Sequence, residues 1–401
     1  MKNIRTSVFA FVLLFALSMH GAPSPPEADF NALVADITAN SPEVKTRRAE
    51  IEITRLEAAD QNALPYPEAS FSHVWGAGGI GNKYNIEVSQ SFDWPGVYRA
   101  RSQAANAGTE AARMLYRSAC LDIALQAKLK LIELVYLNQQ LALLGKIKEN
   151  TDSVKARVDE AYRQGELTVL DAKKMQIEQY KVNTDIAELT ETAARLKADI
   201  RNLCPGFELN LEGVTAYPVE PLLSEDEYVA QIAELDPVIA AGKLSVRQEN
   251  LNAKAARMSR LPGFSVGYIY QKEIGDMFNG FSVSMSLPFF QNRKARAVAL
   301  VKAENAGLSN IAAEAARVTD LRATMTQMRV HRKQIEDYRR VFGDDSYLSL
   351  LLMAYLGGEI NVIDYISEVN YFHETTKSYL NCTYLYHCAL ASLNRYFLLP
   401  L

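Results

Sequence analysis

Two stretches of this chain, between Pro95 and Pro205 and between Pro288 and Pro400, contain no proline and little glycine. Proline removes a backbone donor and clashes with the preceding helical turn, so long stretches without it can form unbroken helix. Both are rich in Ala, Leu, Glu, Lys, Arg and Gln, the residues that cost least in a helix. In the first, Leu121, Leu125, Leu129, Ile132 and Tyr136 recur at the spacing of one helix face. Glycine interrupts each stretch once, at Gly165 and at Gly357-Gly358, which predicts two long helical hairpins. The arm from Pro95 to Gly165 has roughly 70 residues, or ~105 Å of helix at 1.5 Å per residue. Helices that long do not belong to a globular core; they predict a coiled coil or a projecting tube.

The two halves of the chain repeat each other with an offset of about 195 residues, and such a repeat specifies architecture before any single motif does. Asn40-Ser41-Pro42 answers Leu235-Asp236-Pro237, each opening a helical pattern, and Leu64-Pro65 answers Leu261-Pro262. AYRQGELTVLD (Ala161–Asp171) answers AYLGGEINVID (Ala354–Asp364). The organisation expected is a signal peptide at 1–22, a first repeat at 23–212 and a second at 213–401. Each repeat carries a helix, a β-hairpin (66–93 or 263–290) and a long helical hairpin (96–204 or 292–398).

Strand patterns come after each Leu-Pro. Tyr84, Ile86, Val88 and Phe92 alternate with Asn85, Glu87, Ser89 and Ser91, and Phe281 to Leu287 alternates without a break. Phe264, Val266, Tyr268 and Tyr270 alternate in the same way. Period two means a sheet with one apolar and one polar face, as in a half-buried soluble sheet or a membrane barrel. Strands of about nine or ten residues suit a tilted membrane crossing. Aromatics gather at the strand ends: Phe71, Trp75, Phe92 and Trp94, then Phe289 and Phe290. Four strands cannot close a barrel and lipid tolerates no open edge, so an inserted chain must oligomerise. Two copies give eight strands with an interior filled by side chains, and three give twelve with room for a lumen, which the Ser, Asn, Gln and Glu of the polar face suit.

Lys2 and Arg5, the apolar run Val8–Leu17 and then Ser18, Gly21 and Ala22 have the pattern of a cleaved export signal. The net charge of −4, with mixed signs, points to no nucleic-acid partner. No cofactor or metal is expected, and His73, His331, His373 and His387 keep no spacing that suggests catalysis. Cys120, Cys204, Cys382 and Cys388 are expected to be buried thiols, with a Cys120–Cys204 bridge as the alternative. Trp75-Gly76-Ala77-Gly78-Gly79-Ile80-Gly81 contains the spacing G-x-G-x-x-G. A dinucleotide site would need a helix next. Lys83 to Val88 carry a strand pattern instead, so the glycines are expected at a hairpin tip.

Taken together, the chain resembles the TolC-type outer-membrane efflux family over nearly all of its mature length. The resemblance rests on the duplicated plan, the Asn-Ser-Pro helix start, the Leu-Pro pairs, Phe92-Asp-Trp-Pro-Gly96 and the matched Tyr-x-x-Gly-Glu tips. It implies a mainly α fold with a membrane β-barrel portion. Long helical hairpins form a periplasmic tunnel, and four strands per chain join a homotrimeric twelve-stranded barrel. It implies a non-enzymatic exit duct in outer-membrane lipid, docked to a periplasmic adaptor (membrane fusion) protein and an inner-membrane pump. The short body is most similar to the metal-cation branch, with drugs as the other cargo class.

The resemblance also assigns residues. Tyr162, Gly165, Glu166, Gly358 and Glu359 match the tips where the adaptor engages, and Tyr355, Asp364 and Asp171 match the periplasmic gate. Asp364 would equally suit a helix cap. Two positions depart from the family pattern: Ile360 stands where a gate Arg is expected, and Ser367 where a second Asp is. The alternative to a duct is an adaptor-like or structural coiled-coil protein of the periplasm without a barrel.

Overall fold

The computed structural model describes residues 29–79, 81–287, 294–342 and 346–399. The expected signal peptide lies outside the described residues, as do Ile80, Phe289 and Phe290. The elements run α1 (Phe30–Asn40), α2 (Pro42–Gln61), β1 (Glu68–Trp75), β2 (Asn82–Phe92), α3 (Pro95–Arg163) and α4 (Val169–Asn202). They continue with α5 (Glu225–Leu235), α6 (Pro237–Met258), β3 (Gly263–Glu273), β4 (Asp276–Ser286), α7 (Ala295–Phe342), α8 (Tyr347–Leu356) and α9 (Val362–Leu393). Each half therefore gives two short helices, a β-hairpin and a pair of long arms. Prolines open α2, α3 and α6, where the missing N–H costs nothing and the fixed φ already suits a helix.

The chain divides into two compact units, each drawing on both halves. One contains Thr38–Leu125, Pro221–Gln327 and the described residues from Ser392 onward. It holds a single antiparallel sheet in the order β1-β2-β3-β4. Its buried anchor is Asp236, the cap of α6, which accepts hydrogen bonds from the Val238 and Ile239 amides at 2.8 and 3.2 Å. The same carboxylate accepts from the Tyr396 hydroxyl at 2.6 Å and pairs with Arg317 at 3.3 Å. A helix cap thus also ties down the end of the chain.

The other unit contains Gln126–Glu220, Met328–Ala391 and the described residues up to Ile37. Val362, Tyr365, Val369 and Phe372 of α9 are spaced alternately three and four apart and are buried. They pack with Leu143, Ile147, Val154 and Val158 of α3 and with Met175 and Val182 of α4, in the manner of a coiled-coil seam. The segment joining the two halves is pinned to α3. Lys128 and Glu220 form a buried ion pair at 2.7 Å, and the Asn138 amide donates to the Val214 carbonyl at 2.8 Å. Tyr217 of that segment stacks on His387 at 4.2 Å. Burial pushes His387 down to about 4, with Glu220 opposing the shift.

α7 is described to Phe342 and α8 from Tyr347; Gly343-Asp344-Asp345 lie outside the described residues. Between β3 and β4, Ile274 and Gly275 alone make the turn, at φ 50° and 102°. The cysteines are all free thiols, so no Cys120–Cys204 bridge forms. Cys120 and Cys204 are buried, whereas Cys382 and Cys388 are half-buried.

His387 generates a pH prediction. Its folded pKa lies below the ordinary value, so its contribution to stability is full above ~6.5 and is lost as pH falls towards about 4. The thermal midpoint should drop over that window, and His387→Phe, which keeps the stack on Tyr217, should flatten the drop. An identical acid profile for the variant would count against the assignment.

Candidate functional site

The sheet is the first candidate surface. Its register places Phe71, Ile86 and Tyr270 in one row and Val88, Tyr268 and Phe281 in the next, all on the same face. The opposite face carries Ser72, Asn85 and Gln271, then Ser89, Gly267 and Ser282. Burial along β2 and β3 is inverted relative to a soluble sheet. Tyr84, Ile86 and Val88 are exposed while Asn85, Glu87 and Ser89 are half-buried, and β3 repeats the pattern. Aromatics cluster at both ends of the apolar face. His73 stacks on Tyr84 at 4.3 Å beside Trp75, and Phe92 stacks on Phe264 at 5.6 Å beside Trp94. Tyr84 and Phe92 are about 27 Å apart along β2 at ~3.4 Å per residue.

The polar face is cross-linked. Ser282 donates to Glu87 at 2.7 Å, reaching from β4 to β2 past β3. Gly267 makes that reach possible, since a Cβ there would lie 2.6 Å from Ser282 Oγ and 3.0 Å from Ser89 Cβ. Lys83 pairs with Glu273 at 3.4 Å nearer the turns. The glycines of the β1–β2 turn adopt positive φ at Gly78, Gly79 and Gly81, and strand β2 comes directly after them. The dinucleotide pattern is a hairpin tip.

The second candidate surface is the pair of helical tips, and they share one hydrogen-bond pattern. At the first, the Gly165 amide donates to the Tyr162 carbonyl at 3.0 Å and the Glu166 amide to the Ala161 carbonyl at 2.9 Å. At the second, Gly358 donates to Tyr355 at 3.1 Å and Glu359 to Ala354 at 2.9 Å. Each is a Schellman close around a left-handed glycine, with φ 79° at Gly165 and 77° at Gly358. The next helix starts at once. Thr168 caps α4 and exchanges hydrogen bonds with Asp171, and Asn361 accepts from the Ile363 and Asp364 amides at 2.9 Å.

Both expected gate acids are therefore held by helix-cap residues in the single chain. Asp171 Oδ2 accepts from the Thr168 hydroxyl at 2.6 Å, and Asp364 Oδ2 accepts from the Asn361 amide at 2.7 Å. The Thr168 side chain, then its backbone, hold Asp171 below the usual carboxylate range. Tyr355 is half-buried and packs on Tyr365 at 5.5 Å. Burial raises both phenols, Tyr365 to about 12. Tyr355 lines a cavity of about 460 Å³ between the tips, together with Arg157, Glu166, Ile360 and Gly358. Tyr162 is exposed and does not line it. Sequence reasoning alone misses Thr168, Asn361, Tyr365 and Arg157. The spacings Thr-x-x-Asp and Asn-x-x-Asp carry the signal for the two caps.

No family model matches the chain, and no curated relative matches it. Solved structures do. A membrane protein from Pseudomonas aeruginosa is 17% identical, with 92% of this chain and 90% of that one covered and a TM-score of 0.77. CusC, solved in a study of folding and transmembrane channel formation, is 15% identical with 92% of each chain covered and a TM-score of 0.74. The CmeC outer membrane channel of Campylobacter jejuni is 17% identical, over 92% of this chain and 85% of that one, with a TM-score of 0.72. The chain has the fold of these proteins: mainly helical, duplicated, with long arms and four antiparallel strands.

Because left-handed φ costs a side chain about 1 kcal/mol, Gly165→Ala and Gly358→Ala should each loosen their own tip. Hydrogen exchange of the Glu166 or Glu359 amide should quicken by about fivefold, the kinetic equivalent of ~1 kcal/mol. Gly145→Ala, within α3 and facing open space, is the control and should leave both amides unchanged.

Proposed function

We propose that three copies of this chain form an outer-membrane exit duct for a tripartite efflux system. The observation that carries this reading is the inverted sheet: its apolar face is the more exposed one, and β1 and β4 each leave an edge open. Water would penalise such a face, and hydrocarbon would penalise the edges. Three copies remove both penalties, with the apolar faces turned to lipid and the Ser, Asn, Gln and Glu side chains turned to a wet lumen. Among the described residues no helix is long and apolar enough to cross a membrane, so the sheet is the spanning element in this proposal.

The helical arms then form a periplasmic tunnel ending at the glycine tips, where Tyr162, Gly165, Glu166, Gly358 and Glu359 meet the adaptor's helices. Conduction is passive. The pump supplies the energy and selects the cargo, with metal cations as the class proposed here and drugs as the other. At the tunnel end, Tyr355, Asp364 and Asp171 form the constriction. Capping and gating are compatible here, since the bonds described use Oδ2 of each acid and Oδ1 can face a passing cation. Ile360, in place of a cationic latch, lines the tip cavity with Tyr355, so closure relies on apolar packing more than on ion pairs.

After a high-salt wash the protein should stay in the outer-membrane fraction and migrate as a trimer. Recovery as a soluble monomer would overturn the duct in favour of a periplasmic coiled-coil protein. Within the duct, Asp364→Asn retains a side-chain acceptor while removing the charge. It should reduce cation preference and alter single-channel conductance; unchanged behaviour would remove Asp364 from the gate.

A further inference from the structure

The polar face of the sheet has three apolar exceptions, and two of them lie on its edges. Val74 on β1 is 56% exposed and Phe278 on β4 is 53% exposed, while Ile269 on β3 stands diagonal to Phe278, opposite Gly280. Resting on the duct reading, this placement bears on how the copies join, because β4 of one copy must pair with β1 of the next.

Three constraints fix the join. Within one chain, Ser72 and Phe278 stand in the same row. A row leaving β4 re-enters the next copy's β1 displaced along the strand, by the same amount at each of three seams. The displacement must be even, because an odd step would turn β1's apolar side chains into the lumen. It must also tilt the strands correctly. Steps of two, four and six residues give tilts of about 20°, 36° and 47°, from ~3.4 Å per residue and ~4.7 Å between strands. Outer-membrane barrels tilt by about 35–45°. The strand ends then choose. Glu68, the first residue of β1, is level with Ser282, but β4 runs on to Ser286. The sheet already descends by four residues from one edge to the other. A step of four pairs every residue of β1, whereas a step of six leaves Glu68 and Ala69 without partners.

We propose that the copies join with Glu68 opposite Ser286 of the partner subunit, Val74 opposite Gly280 of the partner subunit and Trp75 opposite Asn279 of the partner subunit. Gly280 has open space where a Cβ would be and sits level with Ile269 in its own chain. Val74 and Ile269 therefore flank it from the two sides of the seam, and Phe278 reaches both on the diagonal. The three residues that break the polar face gather into one apolar patch astride the junction. On the lipid side, the same register sets Phe281, 82% exposed in the single chain, opposite the partner subunit's His73. The apolar patch acts as a key for register, since any other even step separates Val74 from the Ile269–Gly280 row.

Paired cysteines test this in the full-length chain in outer membranes, with each single-cysteine variant as control for the native thiols. Val74→Cys is combined with Gly280→Cys, Phe278→Cys or Ser282→Cys, which report steps of four, two and six. Oxidation should trap reductant-sensitive dimers and trimers with Gly280→Cys and not with the other two, because only directly opposite Cβ atoms approach disulfide distance. Cross-linking through Phe278→Cys or Ser282→Cys, or a trimer that none of the pairs traps, overturns the register and leaves the duct standing. A chain that forms no oligomer and washes off the membrane overturns both.

Discussion

A peptide group surrounded by hydrocarbon has nothing to bond except another peptide group. A four-stranded sheet with two open edges cannot meet that condition alone, and the rest of the proposed assembly depends on it. Duplication gives each chain two hairpins, and their register sets most of the apolar side chains on one face. Closure then depends on copies meeting edge to edge with the faces kept in phase. The polar face prepares for this by bonding to itself. The Ser282–Glu87 bridge across Gly267 stiffens three strands at a height where no core exists to hold them.

The two helical tips show how one local code serves two surroundings. Their backbone hydrogen bonds match, yet Val169 is 59% exposed and its counterpart Val362 only 3%. Tyr162 faces solvent, whereas Tyr355 lies against Tyr365. The first half has Ala172 where the second has Tyr365, so it offers no aromatic ring for a tip tyrosine to pack on. The local turn was duplicated faithfully while the packing around it diverged.

Much of this fold is legible in the residues themselves. Helix length comes from the absence of proline, the strands from period-two alternation, and the tips from a repeated Gly-Glu. Strand ends are harder to place: Met277 to Gly280 has the Asn and Gly of a turn, yet it lies within β4. Long-range contacts are not legible. Tyr396 reaches Asp236 across 160 positions, and nothing near either residue announces the other. Lys128 and Glu220 are ordinary among 43 basic and 47 acidic residues until a fold buries them together. The caps at Thr168 and Asn361 do have a local signal, but the acids they hold are the more conspicuous residues.

The turns that end the hairpins are short. Ile274 and Gly275 alone join β3 to β4, and β1 returns to β2 through a compact turn closed by the Gly76–Gly81 hydrogen bond. In the proposed orientation these turns are what the described residues show beyond the membrane. An antibody or a phage would have little to grip, and any change of specificity by lengthening loops on that side would have to start from almost nothing.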